Sequence, residues 1–159
     1  MNILGVDVGQ SGALAIYNTK GQKMARIWDM PVHEVKVGAK LVKRVSAVEV
    51  ASYLSSIEKI DHAFVELVSA MPNQGVSSMF TFGKSAGIID GVLGAFKIPV
   101  TYVTPQRWMK AMKVIGGKDG SRKRASELMP DLASAFARAK DNGRSDACLI
   151  ALYGVGELK

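Results

Sequence analysis

The chain carries one cysteine in 159 residues, Cys148. A lone cysteine excludes an internal disulfide framework and a cysteine-built zinc cluster. Its neighbours Ala147, Leu149 and Ile150 are apolar, which reads as a buried thiol rather than a nucleophile. Histidine is nearly as scarce. His33 and His62 show no His-x-Glu or His-x-x-x-His spacing, and neither is assigned a role. No apolar run approaches the roughly 20 residues that a membrane helix needs. The N-terminus enters a strand directly, without a signal-peptide pattern. There is no internal repeat and no low-complexity stretch. These absences lead us to expect a protein without a membrane partner, in a reducing cytoplasm.

Acidic residues are also in short supply. Fourteen Asp and Glu face 21 Lys and Arg, a net charge of +7, with a pI near 9.6. A basic domain of this size favours a polyanion, most simply nucleic acid, although charge alone is equally compatible with a solvated basic surface. The distribution says more. Lys36, Lys40, Lys43 and Arg44 crowd one stretch; Lys110, Lys113, Lys118, Arg122, Lys123 and Arg124 crowd another, with Asp119 the one acid inside it. With 48% hydrophobic and 22% charged residues, the expectation is one globular domain spanning residues 1–159.

Asn2–Ile16 is the stretch around which the rest is arranged. An apolar run ends in Asp7, breaks at Gly9-Gln10-Ser11-Gly12 and resumes as Ala13-Leu14-Ala15-Ile16. Two strands of a hairpin follow from this pattern. A third strand, about 22–28, comes after the turn Asn18-Thr19-Lys20-Gly21. Residues 32–43 lack a clean period and read as an exposed loop. Ser46-Ala47-Val48-Glu49 is a capping box opening a helix to about Lys59. A fourth strand is expected over 62–68 and a long helix over about 75–97. That helix carries Gly83, Gly87, Gly91 and Gly94, each costing about 1 kcal/mol relative to Ala. Close packing on the sheet or on a second copy of the chain would offset this. A fifth strand covers 99–103, and Thr104-Pro105 starts a short helix. Asp141-Asn142-Gly143 reads as a turn before a last helix over 145–153. Trp28 and Trp108 read as packing residues; Trp108 lies beside the basic cluster, where base stacking is the alternative.

Three carboxylates occupy parallel situations. Asp7 ends the first strand, Glu66 sits in the apolar run Phe64-Val65-Glu66-Leu67-Val68, and Asp146 lies near the start of the last helix. Taken singly, Asp7 and Asp146 have bland readings, as a turn and a helix-dipole residue. Three antiparallel strands, then helix, strand, helix, strand and helices would set the fourth strand beside the first. Asp7 and Glu66 then meet at one sheet edge, and a terminal helix packed on the sheet brings in Asp146. Such a set repels itself unless divalent cations lie between its members. Oxygen donors suit Mg²⁺ or Mn²⁺, and two such ions serve phosphodiester hydrolysis.

In that order of elements the sequence resembles the ribonuclease H-like fold, and within it the RuvC family of Holliday junction resolvases, especially those of bacteriophages. The similarity rests on Leu4-Gly5-Val6-Asp7-Val8-Gly9, Phe64-Val65-Glu66-Leu67-Val68, 78–87, Val103-Thr104-Pro105-Gln106 and Gly143-Arg144-Ser145-Asp146-Ala147. The resemblance implies an α/β fold, with a five-stranded mixed sheet of three antiparallel and then two parallel strands flanked by helices. It implies a homodimeric, Mg²⁺-dependent endonuclease that nicks opposing strands of a four-way DNA junction. Asp7, Glu66 and Asp146 match the family's metal-binding acids, and the helix from Gly75 matches its dimerisation helix. The basic residues expected near DNA are Lys43, Arg44, Lys110, Lys118, Arg122, Lys123 and Arg124.

The sequence departs from the family at two places. Three positions before the last Asp the family has a fourth acid or a His; here Gly143 stands there, and Asp141 is the nearest substitute ligand. After the fourth-strand Glu the family often has an aromatic wedge. Here Ser69 stands near that position and Met71 is the closest apolar residue. Three alternatives follow: a broader nuclease for branched, flapped or RNA-containing substrates, a non-catalytic junction-binding protein, and an actin-like or sugar-kinase ATPase reading of Asp7–Gly12. The ATPase reading lacks a second phosphate loop.

Overall fold

The computed structural model describes residues 1–67, 69 and 75–158 of the chain. Strands β1 (Asn2–Asp7), β2 (Ala13–Asn18) and β3 (Lys23–Asp29) form an antiparallel meander, and β6 (His62–Glu66) and β7 (Val100–Val103) extend it in parallel. The sheet order is β3-β2-β1-β6-β7. This is the five-stranded mixed sheet expected from the sequence.

The alternation of side chains along β1 and β6 builds two cores. Leu4, Val6, Ala63 and Val65 face helices α1 (Ala47–Ser55) and α2 (Val76–Ala95) and pack with Val50, Leu54, Ile89 and Leu93. Ile3 and Phe64 face the other way, against Ala147, Cys148 and Ile150 of α5 (Asn142–Glu157). Gly5 lies on that same face, and a Cβ there would run into the backbone of Ala147 and Ala151. The absence of a side chain lets α5 lie directly on β1.

Local caps act where the sequence places them. The Ser46 hydroxyl accepts from the Glu49 amide at 3.3 Å, and Thr104 accepts from the Arg107 amide at 3.4 Å at the start of α3 (Pro105–Ala111). Helix α4 (Gly120–Leu128) and a 3₁₀ segment, Pro130–Phe136, close the second core.

Three expectations are corrected. Residues 32–43 are not a loop: Val32–Val37 (β4) and Lys40–Val45 (β5) form an antiparallel hairpin around Gly38-Ala39. Val35 pairs with Val42 across it, so the alternation is present but carried by few apolar residues. Asp141-Asn142-Gly143 is not a turn ahead of the last helix either. Asp141 ends a 3₁₀ segment, Ala139–Asp141, and α5 begins at Asn142. The first helix also stops at Ser55, short of Lys59.

Candidate metal centre and nucleic-acid face

The parallel pairing of β1 with β6 sets Gly5 opposite Phe64 and Val6 opposite Val65. One step on, Asp7 and Glu66 leave the sheet side by side at the carboxyl ends of their strands, on the α5 face. Asp146 comes to them from α5. The three are electrically coupled. Burial, then the charges of Glu66 and Asp146, push the Asp7 carboxyl well above its usual range. Burial raises Glu66 as well, while the Trp108 indole opposes the shift. Asp146 is pushed up to about 6 by burial first and Glu66 second, against a lowering by the neighbouring Ser121 hydroxyl. Its Oδ1 is buried without a hydrogen-bond partner. Buried carboxylates of one sign are costly to ionise unless a cation or a proton compensates them.

The donor chemistry fits a hard divalent cation: three carboxylates and, among the described residues, a buried carboxylate oxygen of Asp146 without a hydrogen-bond partner. The set is open, however. Among the described residues, no three His, Cys, Asp or Glu side chains converge closely enough to enclose an ion.

Asp141 stands apart from this trio. Its Oδ2 accepts from the Arg138 amide at 2.9 Å and from Arg138 Nε at 3.1 Å, and its Oδ1 from Arg138 Nη2 at 2.9 Å. This embrace holds its carboxyl down at about 2. Arg144 Nη1 adds an ion pair at 3.8 Å. Asp141 is thus tied up as a capping residue. Gly143, which stands where the sequence resemblance leads to the expectation of a fourth acid or a His, is pressed against the loop that follows Asp7. A Cβ on Gly143 would lie 2.8 Å from Gly12 Cα and nearer still to the Ser11 carbonyl oxygen.

Trp108 is 2% exposed, and its Nε1 donates to Glu66 Oε1 at 2.9 Å, so base stacking does not describe it. It packs, and it also touches the acidic site. No local pattern signals this contact, since 42 residues separate the partners.

The basic candidates divide by what their side chains do. Lys43 and Lys110 are exposed, as is Lys123. Arg44 lies with its guanidinium 5.9 Å from the Phe80 ring centroid, a cation–π arrangement. Arg122 pairs with Asp119 and donates to the Ala137 carbonyl at 3.1 Å. Arg124 Nε donates to the Met112 carbonyl at 2.7 Å, and its Nη1 meets Glu127 at 3.1 Å. These two arginines hold α4 to its neighbours. Lys118 lies in the 3₁₀ turn Gly117–Asp119. A cavity of about 500 Å³ beside it is lined by Lys113, Lys123 and Arg124, with Asp119 and Glu127 opposing.

The hairpin is wired to the acidic site by a residue that the sequence reading passed over. Gln10, in the loop after Asp7, donates its side-chain amide to the Lys43 carbonyl at 2.7 Å. Ser69 is exposed, and Met71 lies outside the described residues.

The fold is α/β, a five-stranded mixed sheet flanked by helices, of the kind seen in solved RuvC structures. The structure is similar to Thermus thermophilus RuvC in complex with a Holliday junction substrate, with a TM-score of 0.67 and 12% identity over 99% of this chain and 96% of that one. A second Thermus thermophilus RuvC structure gives 0.60 and 14% over the same shares. The yeast mitochondrial Holliday junction resolvase Ydc2 gives 0.53 and 12%, over 95% of this chain and 77% of that one. In sequence, the chain is 30% identical over 97 residues to the chloroplastic Holliday junction resolvase MOC1 of Chlamydomonas reinhardtii. That match covers 60% of this chain and 11% of the relative's length. No family model matches the chain.

Proposed function

We propose that this chain is a metal-dependent endonuclease that resolves four-way DNA junctions by paired nicks. The observation that supports this reading is that Asp7 and Glu66 end neighbouring parallel strands, and that Asp7 feels the charges of both Glu66 and Asp146, within a fold similar to a RuvC bound to its junction substrate. Asp7, Glu66 and Asp146 would hold Mg²⁺, or Mn²⁺ in its place. Two such ions, when bound, supply an activated water and charge compensation at the leaving oxygen. The chain's own part is to hold the three carboxylates in register: β1 and β6 fix the first two, and α5, lying flush on Gly5, fixes the third. Asp141 is left out of this ligand set, because Arg138 occupies both of its oxygens.

Of the candidate DNA-binding cations, Lys43, Lys110 and Lys123 are exposed and available to phosphates, and Lys118 is a candidate by its place in the sequence alone. The two internally bonded arginines, Arg122 and Arg124, shape that surface rather than extend from it. The partner copy would lie on α2. Among the described residues, nothing lies within 4 Å of the spaces where side chains would stand at Gly83, Gly87, Gly91 and Gly94, and Val76 and Phe80 are 86% and 64% exposed on the same helix. Of the two explanations for these glycines, packing on the sheet is thereby disfavoured.

The test is cleavage of a synthetic four-way junction beside linear duplex, flap and RNA–DNA hybrid, with Mg²⁺ and with EDTA. Paired nicks confined to the junction and lost in EDTA are expected. Asp7→Asn should keep junction binding and abolish cutting; equal cutting by variant and parent would overturn the metal assignment. A second reading, a junction-binding protein without catalysis, draws support from the open carboxylate set. Tight binding by the parent without cutting would favour it.

A further inference from the structure

We propose that Trp108 is a positioning residue of the metal centre: its indole N–H fixes one oxygen of Glu66 so that the other is presented to a cation. This deepens the reading above and rests on it.

The argument starts from how Trp108 is held. Helix α3 is fixed at its start by the Thr104 cap. Arg107 ties it to α5 through Glu157 at 2.7 Å. Arg124 holds the carbonyl of Met112, just past its end, at 2.7 Å. The indole itself is sunk in the core that includes Ile3, Phe64 and Phe136. A buried indole N–H needs an acceptor, and here the acceptor is a carboxylate rather than a backbone carbonyl. Packing alone does not call for that choice, since Phe or Leu would fill much of the volume without burying a donor.

The chemistry of the donor matters. Trp donates one hydrogen bond and carries no charge. An Arg or Lys in its place would neutralise Glu66 and compete with a cation. Trp108 orients the carboxylate while leaving its full negative charge. With Oε1 engaged, Oε2 is the oxygen left for a metal. Partners that orient metal ligands in this way typically contribute about 10- to 100-fold in metal affinity.

The test uses Mn²⁺ alone as probe, without DNA. In a Trp28→Phe background Trp108 is the sole tryptophan, and its emission reports on the site directly. Saturable quenching by Mn²⁺, absent in Glu66→Gln, is expected. Trp108→Phe should then weaken Mn²⁺ binding by about 10- to 100-fold in calorimetry, while the melting curve remains cooperative. A benzothienylalanine at position 108 keeps the indole shape without the N–H, and should show the same loss even if Trp108→Phe packs poorly. Unchanged Mn²⁺ affinity in a folded protein lacking the N–H would overturn the proposal while leaving the metal centre standing. Failure of the parent to bind Mn²⁺ at all would overturn both.

Discussion

Arg144 and Asp29 form a two-pronged ion pair, Nε to Oδ1 and Nη2 to Oδ2, each at 2.6 Å. The pair joins the end of β3 to the first turn of α5, two residues ahead of Asp146. It therefore fixes the rotation and height of the helix that delivers an acid to the site. Arg144→Ala should cost about 1 kcal/mol, the upper end for a partly exposed pair, because both carboxylate oxygens are engaged. Arg144→Lys should restore little, since an ammonium cannot reproduce the planar fork. Urea unfolding of the two variants checks the first point, and comparison of their Mn²⁺ affinities checks whether α5 has shifted.

Stability should fall on the acid side. The Arg144 hydrogen bonds hold the Asp29 carboxyl below its usual range, and Arg138 holds Asp141 at about 2. A carboxylate with a lowered folded value contributes its full stabilisation above its unfolded value. That contribution is lost as pH falls through the folded value. For Asp141 the window runs from the ordinary aspartate value of about 4 down to about 2. Melting temperature measured across this window should drop more steeply in the parent than in Asp141→Asn, whose own loss should be visible already at neutral pH.

Gly143 leads to an outcome opposite to what the family pattern alone implies. Gly143→Asp would place an acid where RuvC-like proteins are expected to have one, and simple analogy makes this a gain of metal affinity. The backbone of Ser11 and Gly12 already fills that space. A side chain there must displace either α5 or the loop after Asp7, an overpacking that typically costs about 1–3 kcal/mol. We expect lower stability and weaker Mn²⁺ binding, measured by thermal melting and calorimetry. A tighter-binding Gly143→Asp protein would show that the loop yields.

The order of the sheet was legible because β1, β2, β3 and β6 are short apolar runs punctuated by turn residues, and their spacing leaves few ways to pair. The β4–β5 hairpin was not, because its lysines broke the apolar alternation on which a strand reading depends, although Gly38-Ala39 between Val37 and Lys40 was a usable turn signal. For the three acids, what the sequence offered was their position at element ends, and the structure keeps those positions for Asp7 at the end of β1, Glu66 at the end of β6 and Asp146 in the first turns of α5. What sequence does not carry is the company each polar group keeps. Asp141 and Asp146 look alike as letters, yet one is clasped by Arg138 and the other has an orphaned oxygen. Likewise Arg122 and Lys123 are adjacent, but Arg122 is used internally, by Asp119 and the carbonyl of Ala137, and Lys123 faces solvent.

The glycine face of α2 separates folding from assembly. Among the described residues, a Cβ at Gly87 meets nothing within 4 Å in the single chain. Gly87→Ala should therefore stabilise the isolated fold, by up to about 1 kcal/mol from helix propensity. If a second copy packs closely on this face, a bulkier Gly87→Leu should leave the melting temperature of the monomer intact while shifting the protein from dimer to monomer in sedimentation. Its junction cutting should change from paired nicks to single, uncoordinated ones, because two sites then no longer sit on one substrate together. A Gly87→Leu protein that stays dimeric would move the interface away from α2, and one that is monomeric yet still nicks both strands in concert would separate pairing of the cuts from pairing of the chains.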